Sequence, residues 1–208
     1  MTRTFLRRYT DLPALIYMLS RRRITLLDPK SWDDQNDAYY LGLYREKEQF
    51  ASVLALCFTQ ASETYHHWRV FANGASGVCV QFKRPALLEA TQAEPGIRAR
   101  RVKYLKLGEI RDRRIRATQL PFLKRFPFEH EDEFRLIYES KTKRSATLDV
   151  PIPLACIERI TLSPWMHPQI ADSVKRAIHG IRGCRALKVY RSTLIGNAEW
   201  KKLGDAAI

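Results

Sequence analysis

Short apolar runs alternate with helix-spaced patterns along the whole chain, and no linker, repeat or low-complexity tract interrupts them. Thr4 to Tyr9 predicts a first strand, and Thr10 the N-cap of a helix that carries Leu12, Leu15, Ile16 and Leu19 on one face. Ile24 to Leu27 predicts a second strand, ended by Asp28-Pro29, and Ala38 to Phe50 a second helix. The run Val53-Leu54-Ala55-Leu56-Cys57-Phe58 has no polar break and is too short for a helix, which makes it a buried central strand. A short aromatic helix over Tyr65 to Ala72 and a turn through Asn73-Gly74 lead into a strand at Gly77 to Phe82. Further strands are expected at Val102 to Leu105 and at Phe134 to Glu139, the second alternating Phe134, Leu136 and Tyr138 against Arg135, Ile137 and Glu139. Near the C-terminus a strand (Cys156 to Leu162), a helix (Pro168 to Ile181) and a strand (Ala186 to Tyr190) read as a β-α-β unit. The expected architecture is α+β, a single compact domain with a mixed central sheet flanked by helices.

Length and composition narrow the class. At 208 residues, 45% hydrophobic and 11% aromatic, the chain has the material for a packed core and is not disordered. Cys57, Cys79, Cys156 and Cys184 form no C-x-x-C pair and no zinc-ribbon spacing, and read as small core residues in a reducing compartment. Leu12 to Leu19 is short, contains Pro13 and runs into Arg21-Arg22-Arg23 without a small-residue cleavage site, so it reads as a helix and not a signal peptide. No apolar run approaches the roughly 18 residues of a membrane span. A cytoplasmic protein without membrane contact is the expectation.

Charge changes the picture further. Lys and Arg number 36 against 22 Asp and Glu, a net charge of +14. Half of that surplus lies in one stripe: Arg98, Arg100, Arg101, Lys103, Lys106, Arg111, Arg113, Arg114 and Arg116, offset only by Glu109 and Asp112. With Tyr104 between its charges, the stripe fits an RNA or DNA footprint, because each cation that meets a phosphate releases a counterion. A solvated face or a surface for an acidic protein fits the same residues.

Two acidic clusters interrupt this basic background. Asp33-Asp34-Gln35-Asn36-Asp37 is read as a loop, and Glu129-His130-Glu131-Asp132-Glu133 precedes a strand. A strand begun at Glu131 would set Glu131, Glu133 and Arg135 on one face. There Arg135 can hold one carboxylate ionised while like-charge repulsion raises the other toward acid-base duty; a structural ion-pair ladder on a solvent face fits equally. The helix Tyr65-His66-His67-Trp68-Arg69 offers rings and cations to a planar ligand, or simply packs. Its adjacent histidines point about 100° apart, which disfavours a shared metal. The acidic loop lacks the order of a calcium site, and a nuclease would require an acidic set converging with a Lys. No Walker, dinucleotide-fold or nucleophile-elbow motif is present, which excludes those three enzyme classes. Arg191-Ser192-Thr193 is a further anion-binding candidate.

The order Leu6-Arg7-Arg8-Tyr9, Leu26-Leu27-Asp28-Pro29 with Trp32-Asp33-Asp34 and Asn36-Asp37, Cys57-Phe58-Thr59, His67-Trp68, Gly77 to Phe82, and Glu131 to Ile137 spans nearly the whole chain. It resembles a large prokaryotic family catalogued as a domain of unknown function, some of whose members are labelled abortive phage-infection proteins. That arrangement is similar, more distantly, to the ADP-ribosyltransferase plan. The resemblance implies that Arg8 meets the phosphates of NAD as substrate, that Tyr9 flanks the site and that Thr59 stands at a hydroxyl motif. It also implies that Glu133 is the catalytic glutamate, with Glu131 toward the acceptor, and that Tyr65 or Trp68 stacks a base; Arg135 completes the dinucleotide-binding set. The implied function is a toxin or phage-defence enzyme that transfers ADP-ribose to an acceptor, nucleic acid along the stripe being one, with an antitoxin protein as a further partner. Two readings from other classes stay open: a non-catalytic binding module of a defence system, and a metal-dependent nuclease on Asp33, Asp34, Asp37 and Glu131.

Overall fold

A computed structural model describes residues 4–72 and 74–206. In chain order its regular elements are β1 (Phe5–Asp11), α1 (Leu12–Arg21), β2 (Arg23–Leu27), α2 (Gln35–Lys47), β3 (Ser52–Thr59), α3 (Tyr65–Phe71), β4 (Gly77–Lys83), α4 (Arg84–Gln92), β5 (Ile97–Arg101), β6 (Lys103–Leu105) and α5 (Leu107–Arg111). They continue with β7 (Leu123–Arg125), β8 (Glu133–Ser140), β9 (Thr147–Pro151), β10 (Ile157–Leu162), α6 (Pro168–Gly180), β11 (Val189–Arg191) and α7 (Ala198–Asp205). Asn73 of the expected turn lies outside the described residues.

Among the described residues nine strands form one mixed sheet in the order β11-β10-β4-β1-β3-β2-β9, with β8 paired to β3 and β5 to β8. β10 and β11 are parallel and joined through α6, the expected β-α-β unit. Period-two alternation divides the apolar residues between two cores. Leu54, Leu56 and Phe58 of β3, with Phe134, Leu136 and Tyr138 of β8, enter a large cluster with Leu15 and Leu19 of α1, Leu87 of α4 and Ile178 of α6. Val53 and Ala55, with Ile137, face the other way onto Leu41 and Tyr44 of α2 and onto Leu120 and Phe122. Both faces of β3 and β8 are therefore covered by helices or turns.

Several local expectations are corrected. The cap of α1 is Asp11, whose carboxylate accepts the Ala14 N–H at 2.8 Å; the strand runs one residue past Thr10, to the rung Asp11↔Gly77, before the helix begins. Ile16 is 43% exposed and leaves the buried face of α1 to Leu15, Met18 and Leu19. Helix α2 begins three residues before Ala38, at Gln35: Asp34 caps it by accepting from the N–H groups of Asn36 and Asp37, so the acidic cluster is a helix start more than a loop. β8 begins at Glu133, and Glu131 ends a 3₁₀ turn over Phe126–Glu131. Elements α4, β5, α5, β7, β9 and α7 have no counterpart among those that the hydrophobic pattern predicts.

Candidate active site

Strand β3 has a forked edge. Along one side it pairs with β8 over its full length, Ser52 to Thr59 against Ser140 to Glu133. On the other side it meets β1 at Arg7↔Thr59 and β2 at Leu27↔Ala55, one rung each among the described residues. Between those rungs this edge of β3 has no strand partner among the described residues, and the diverging strands open a cleft of about 590 Å³. Arg7, Arg8 and Tyr9 line it from β1, Ala55 to Thr59 from β3, Glu131 and Glu133 from the start of β8, and Lys124 from β7. Trp32, Asp33, Asp34 and Asp37 close it from the α2 end, and Val70, Phe71 and Phe128 form an apolar rim. The Arg8 Nη1 donates to the Cys57 carbonyl at 3.2 Å, taking one of the groups that the fork leaves unpaired.

At one end of the cleft, charge is concentrated and buried. The guanidinium of Arg135, fully buried, donates to both oxygens of Asp37 (2.9 and 2.6 Å), to both oxygens of Glu133 (2.7 and 2.9 Å) and to the Pro121 carbonyl (3.0 Å). The face of Trp32 lies 5.1 Å from the guanidinium carbon. The Lys124 Nζ sits 2.7 Å from Glu131, 3.6 Å from Glu133 and 3.8 Å from each of Asp34 and Asp37. Four carboxylates thus converge on two cations, a formal excess of two negative charges at one end, while Arg7 and Arg8 stand toward the other.

This environment separates the two glutamates. Burial pushes Glu133 up, but Arg135 and Lys124 outweigh it and hold the carboxyl below its usual range. Burial also pushes Glu131 up, and with Glu133 and Asp37 adding like charge the Lys124 ammonium does not fully offset it, so Glu131 sits above its usual value. Burial likewise leaves Asp37 raised despite Arg135. Like-charge repulsion, expected from the sequence to produce such a split, is the smaller effect; burial is the larger. Beside Glu133, burial and that carboxylate's charge drive the Cys57 thiol well up, which keeps it protonated.

The local chain explains how both glutamates reach the cleft. Asp132 takes a left-handed conformation, φ +43°, which Asp tolerates better than most residues. Thr59, buried and paired with Glu133 in the ladder, donates its hydroxyl to the Glu131 carbonyl at 2.6 Å. Tyr104 accepts the Glu133 N–H at 2.8 Å.

The structure therefore brings together Arg8, Tyr9, Thr59, Glu131 and Glu133 on one cleft; Arg135, expected in the dinucleotide-binding set, instead lies fully buried outside the lining with all five donors spent on Glu133, Asp37 and Pro121, so it positions Glu133 and offers nothing to a ligand. The structure does not bring Trp68 or Tyr65 to the cleft. Trp68 is fully buried: its ring meets Tyr9 edge-on at 5.0 Å and its Nε1 donates to Glu63 at 2.7 Å, so it has no face for a ligand. Tyr65 is exposed and packs on Trp165 and Arg69, away from the lining. Besides the buried Tyr9 and Phe58, the aromatic rings that line the cleft are Trp32, Phe71 and Phe128. Sequence reasoning also missed Lys124, which sits in a three-residue strand with no periodic signal. The E-x-E-x-R run is no solvent-face ladder, since Glu133 and Arg135 are buried. Arg191 and Ser192 are committed to structure, donating to the Met166 and Pro164 carbonyls and to Glu63.

The basic stripe divides in two. Arg98 donates to Glu139 at 2.6 Å and to the Tyr44 hydroxyl at 2.8 Å and serves the fold, whereas Arg101 pairs with Asp132 at 3.0 Å yet stays 64% exposed. Arg100, Lys103, Lys106, Arg111, Arg113, Arg114 and Arg116 are exposed. Lys106 lies 4.8 Å over the Phe126 ring, and β6 pairs in parallel with β7, which carries Lys124. The exposed cations therefore begin one strand away from the cleft. No described helix is long and apolar enough to cross a membrane.

The chain matches no protein-family model, and no curated protein matches it. Among solved structures it is similar to DarT from Thermus sp. 2.9. With the carba-NAD+ complex of that protein it shares 12% identity and a TM-score of 0.47, over 92% of this chain and 97% of that one. With the complex holding ADP-ribosylated ssDNA the values are 13% and 0.48, over 92% and 95%. With the NAD+ complex they are 13% and 0.48, over 92% and 96%.

Proposed function

We propose that the protein is an ADP-ribosyltransferase-like enzyme that transfers ADP-ribose from NAD to an acceptor, nucleic acid held by the exposed part of the basic stripe. The observation that carries this reading is the single cleft lined by Arg8 at one wall and by an ionised Glu133 at the other. A cleft of this size accommodates a dinucleotide. Arg8 supplies charge for its phosphates. The cationic nicotinamide ring is drawn to the acidic end, and Trp32, Phe71 and Phe128 offer ring faces for stacking. As the C1′–N bond breaks, nicotinamide leaves with the bonding pair and becomes neutral. Positive charge then develops on the ribose, where the Glu133 carboxylate stabilises it, as preorganised charge does for oxocarbenium-like states. The acceptor's nucleophilic atom bonds to C1′, and its proton passes to Glu131. A toxin or phage-defence role in the cytoplasm, restrained by an antitoxin, follows from the family resemblance.

The test is direct. Purified protein is expected to consume NAD and release nicotinamide, and Glu133→Gln to abolish this while circular dichroism and the melting transition persist. Unchanged turnover in the variant removes Glu133 from its role.

One observation favours a second reading. An acidic set, Asp34, Asp37, Glu131 and Glu133, does converge with a lysine, Lys124, as a metal-dependent nuclease requires. Against it, Arg135 occupies all four oxygens of Asp37 and Glu133, and among the described residues no group of three His, Cys, Asp or Glu is disposed to hold a metal. Cleavage of DNA or RNA that a chelator abolishes would establish the nuclease instead.

A further inference from the structure

Lys124 stands at the centre of the acidic end of the cleft without a part in the bond-breaking step. Its Nζ donates to Glu131 Oε2 at 2.7 Å, and both side chains are more than nine-tenths buried. Further groups stand around this pair, and the nearby Arg135 guanidinium is bound to Glu133 and Asp37. Glu133 comes from β8, Asp34 and Asp37 from α2 and its cap, and the Tyr104 phenol from β6, while the His67 Nε2 from α3 lies 3.5 Å from the Glu131 carbonyl. Burial and the neutral imidazole give Glu131 no reason to ionise, and Glu133 and Asp37 oppose it.

The position of Lys124 is fixed from its own element. It is the middle residue of β7, in register with Tyr104 of β6, whose hydroxyl accepts the Glu133 N–H. Its ammonium lies 4.8 Å over the Phe128 ring, which shields it on the rim side. One two-stranded ribbon, separate from the main sheet, therefore presents a cation to Glu131 and a hydroxyl to the backbone of Glu133.

We propose that Lys124 is the positioning residue that keeps Glu131 an ionised, fixed base turned toward the acceptor, so that Glu131 takes the acceptor's proton while Glu133 serves the ribose. This rests on the transferase reading above. In the step itself the acceptor X–H loses its proton to Glu131 as X bonds to C1′ and nicotinamide departs. Lys124 gives up no proton and only holds the carboxylate that receives one. The two glutamates thereby differ in the cation that hydrogen-bonds them, Arg135 for Glu133 and Lys124 for Glu131, while Lys124 also stands 3.6 Å from Glu133.

The experiment compares wild type, Lys124→Met and Lys124→Arg by two readouts. The first is the carboxyl carbon resonance of Glu131 in the ligand-free protein, followed by NMR against pH and assigned with Glu131→Gln. The second is the pH profile of NAD consumption. In Lys124→Met the Glu131 titration is expected to move up by about 1–3 pH units, the usual effect of removing an opposite charge within about 4–6 Å. The acidic limb of the rate profile should move with it, and turnover should recover at high pH. Lys124→Arg, which keeps the charge, should hold both near wild type. A Glu131 titration that does not move in Lys124→Met overturns the proposal, as does a rate lost equally at every pH while the resonance shifts. If Lys124→Met does not fold, the Glu131 titration in Lys124→Arg decides: near the wild-type value it supports the proposal, and a rise of a full unit despite the retained charge overturns it. Wild-type protein that consumes no NAD while the resonance behaves as expected sinks the transferase reading and leaves Lys124 as the partner that sets Glu131's charge.

Discussion

Arg135 holds Glu133 through two parallel hydrogen bonds, Nε to one carboxylate oxygen at 2.7 Å and Nη2 to the other at 2.9 Å, two residues along the same strand. The same fork reaches back 98 residues to Asp37. A planar guanidinium has enough donors to grip both oxygens of two carboxylates at once, which the three donors of a lysine cannot. Arg135→Met leaves both charges buried with only Lys124, at 3.6 and 3.8 Å, to offset them, and urea unfolding is expected to show a loss of about 3–5 kcal/mol. A midpoint like that of wild type would mean that this fork does not support the fold.

Glu133 also gives stability a sign with pH. Its folded pKa is depressed, so its ionised form stabilises the native state fully above the ordinary glutamate value of 4.5 and progressively less as pH falls through the depressed value. The stability difference between wild type and Glu133→Gln should therefore be largest at neutral pH and shrink under acid. Chemical unfolding of both proteins across that range measures it. A difference that grows on acidification would contradict the assignment of an ionised carboxylate.

Arg8 tests the opposite wall. A charged hydrogen bond to phosphate contributes about 1.5–3 kcal/mol, so Arg8→Gln should weaken NAD binding about 10-fold to 150-fold. Calorimetric titration reads this without any need for turnover. Equal affinity in the variant would place the phosphates elsewhere.

The two tryptophans should behave in opposite ways. Trp68→Phe removes the hydrogen bond to Glu63 and leaves a gap in the packing against Tyr9 and Cys79. It should lower the melting temperature with little effect on NAD affinity. Trp32→Ala, at the cleft, should reduce affinity. The reverse pattern would restore Trp68 as a ligand-stacking residue.

For the stripe, Arg111, Arg113 and Arg114 changed together to Glu should weaken binding of a DNA or RNA oligonucleotide. They should also flatten the slope of log K against log salt by about 0.7–0.9 for each phosphate that is no longer neutralised. Arg98 belongs to a different class, and its replacement should show in stability first, because it is partly buried against Glu139 and Tyr44; replacing the exposed Arg101 should change stability by at most about 1 kcal/mol. Salt-independent binding by wild type would give the surface another purpose.

Much of this is legible in the chain, for identifiable reasons. The run at Val53 to Phe58 and the glycine-led run at Gly77 declare themselves by composition, and both are central strands. Glu133 and Arg135 share a face because strand geometry has a period of two, and that relation needs no tertiary information. What surrounds them does. Asp37 reaches Arg135 only because α2 packs beside β8, and Lys124 arrives from a strand of three residues. Trp32 and Trp68 are the same residue type in similarly polar company; which one is buried depends on a face that only packing decides. Helix α4 offers only Pro85 in its first turn as a start signal, since Lys83 caps it with no side-chain hydrogen bond, and α7 gives no core-facing pattern because it buries none of its residues.

The single rung at Arg7↔Thr59 gives the forked edge of β3 a mechanical meaning. Arg8 rides on one half of the sheet, bound along its length to β4, and Glu133 rides on the other, bound along its length to β3. The span between them is therefore an angle more than a contact. A substitution in the packing beneath β4 or β10, touching neither residue, would act with leverage on that span. Variants selected for altered turnover should accordingly turn up in the distant core as well as around the bound substrate.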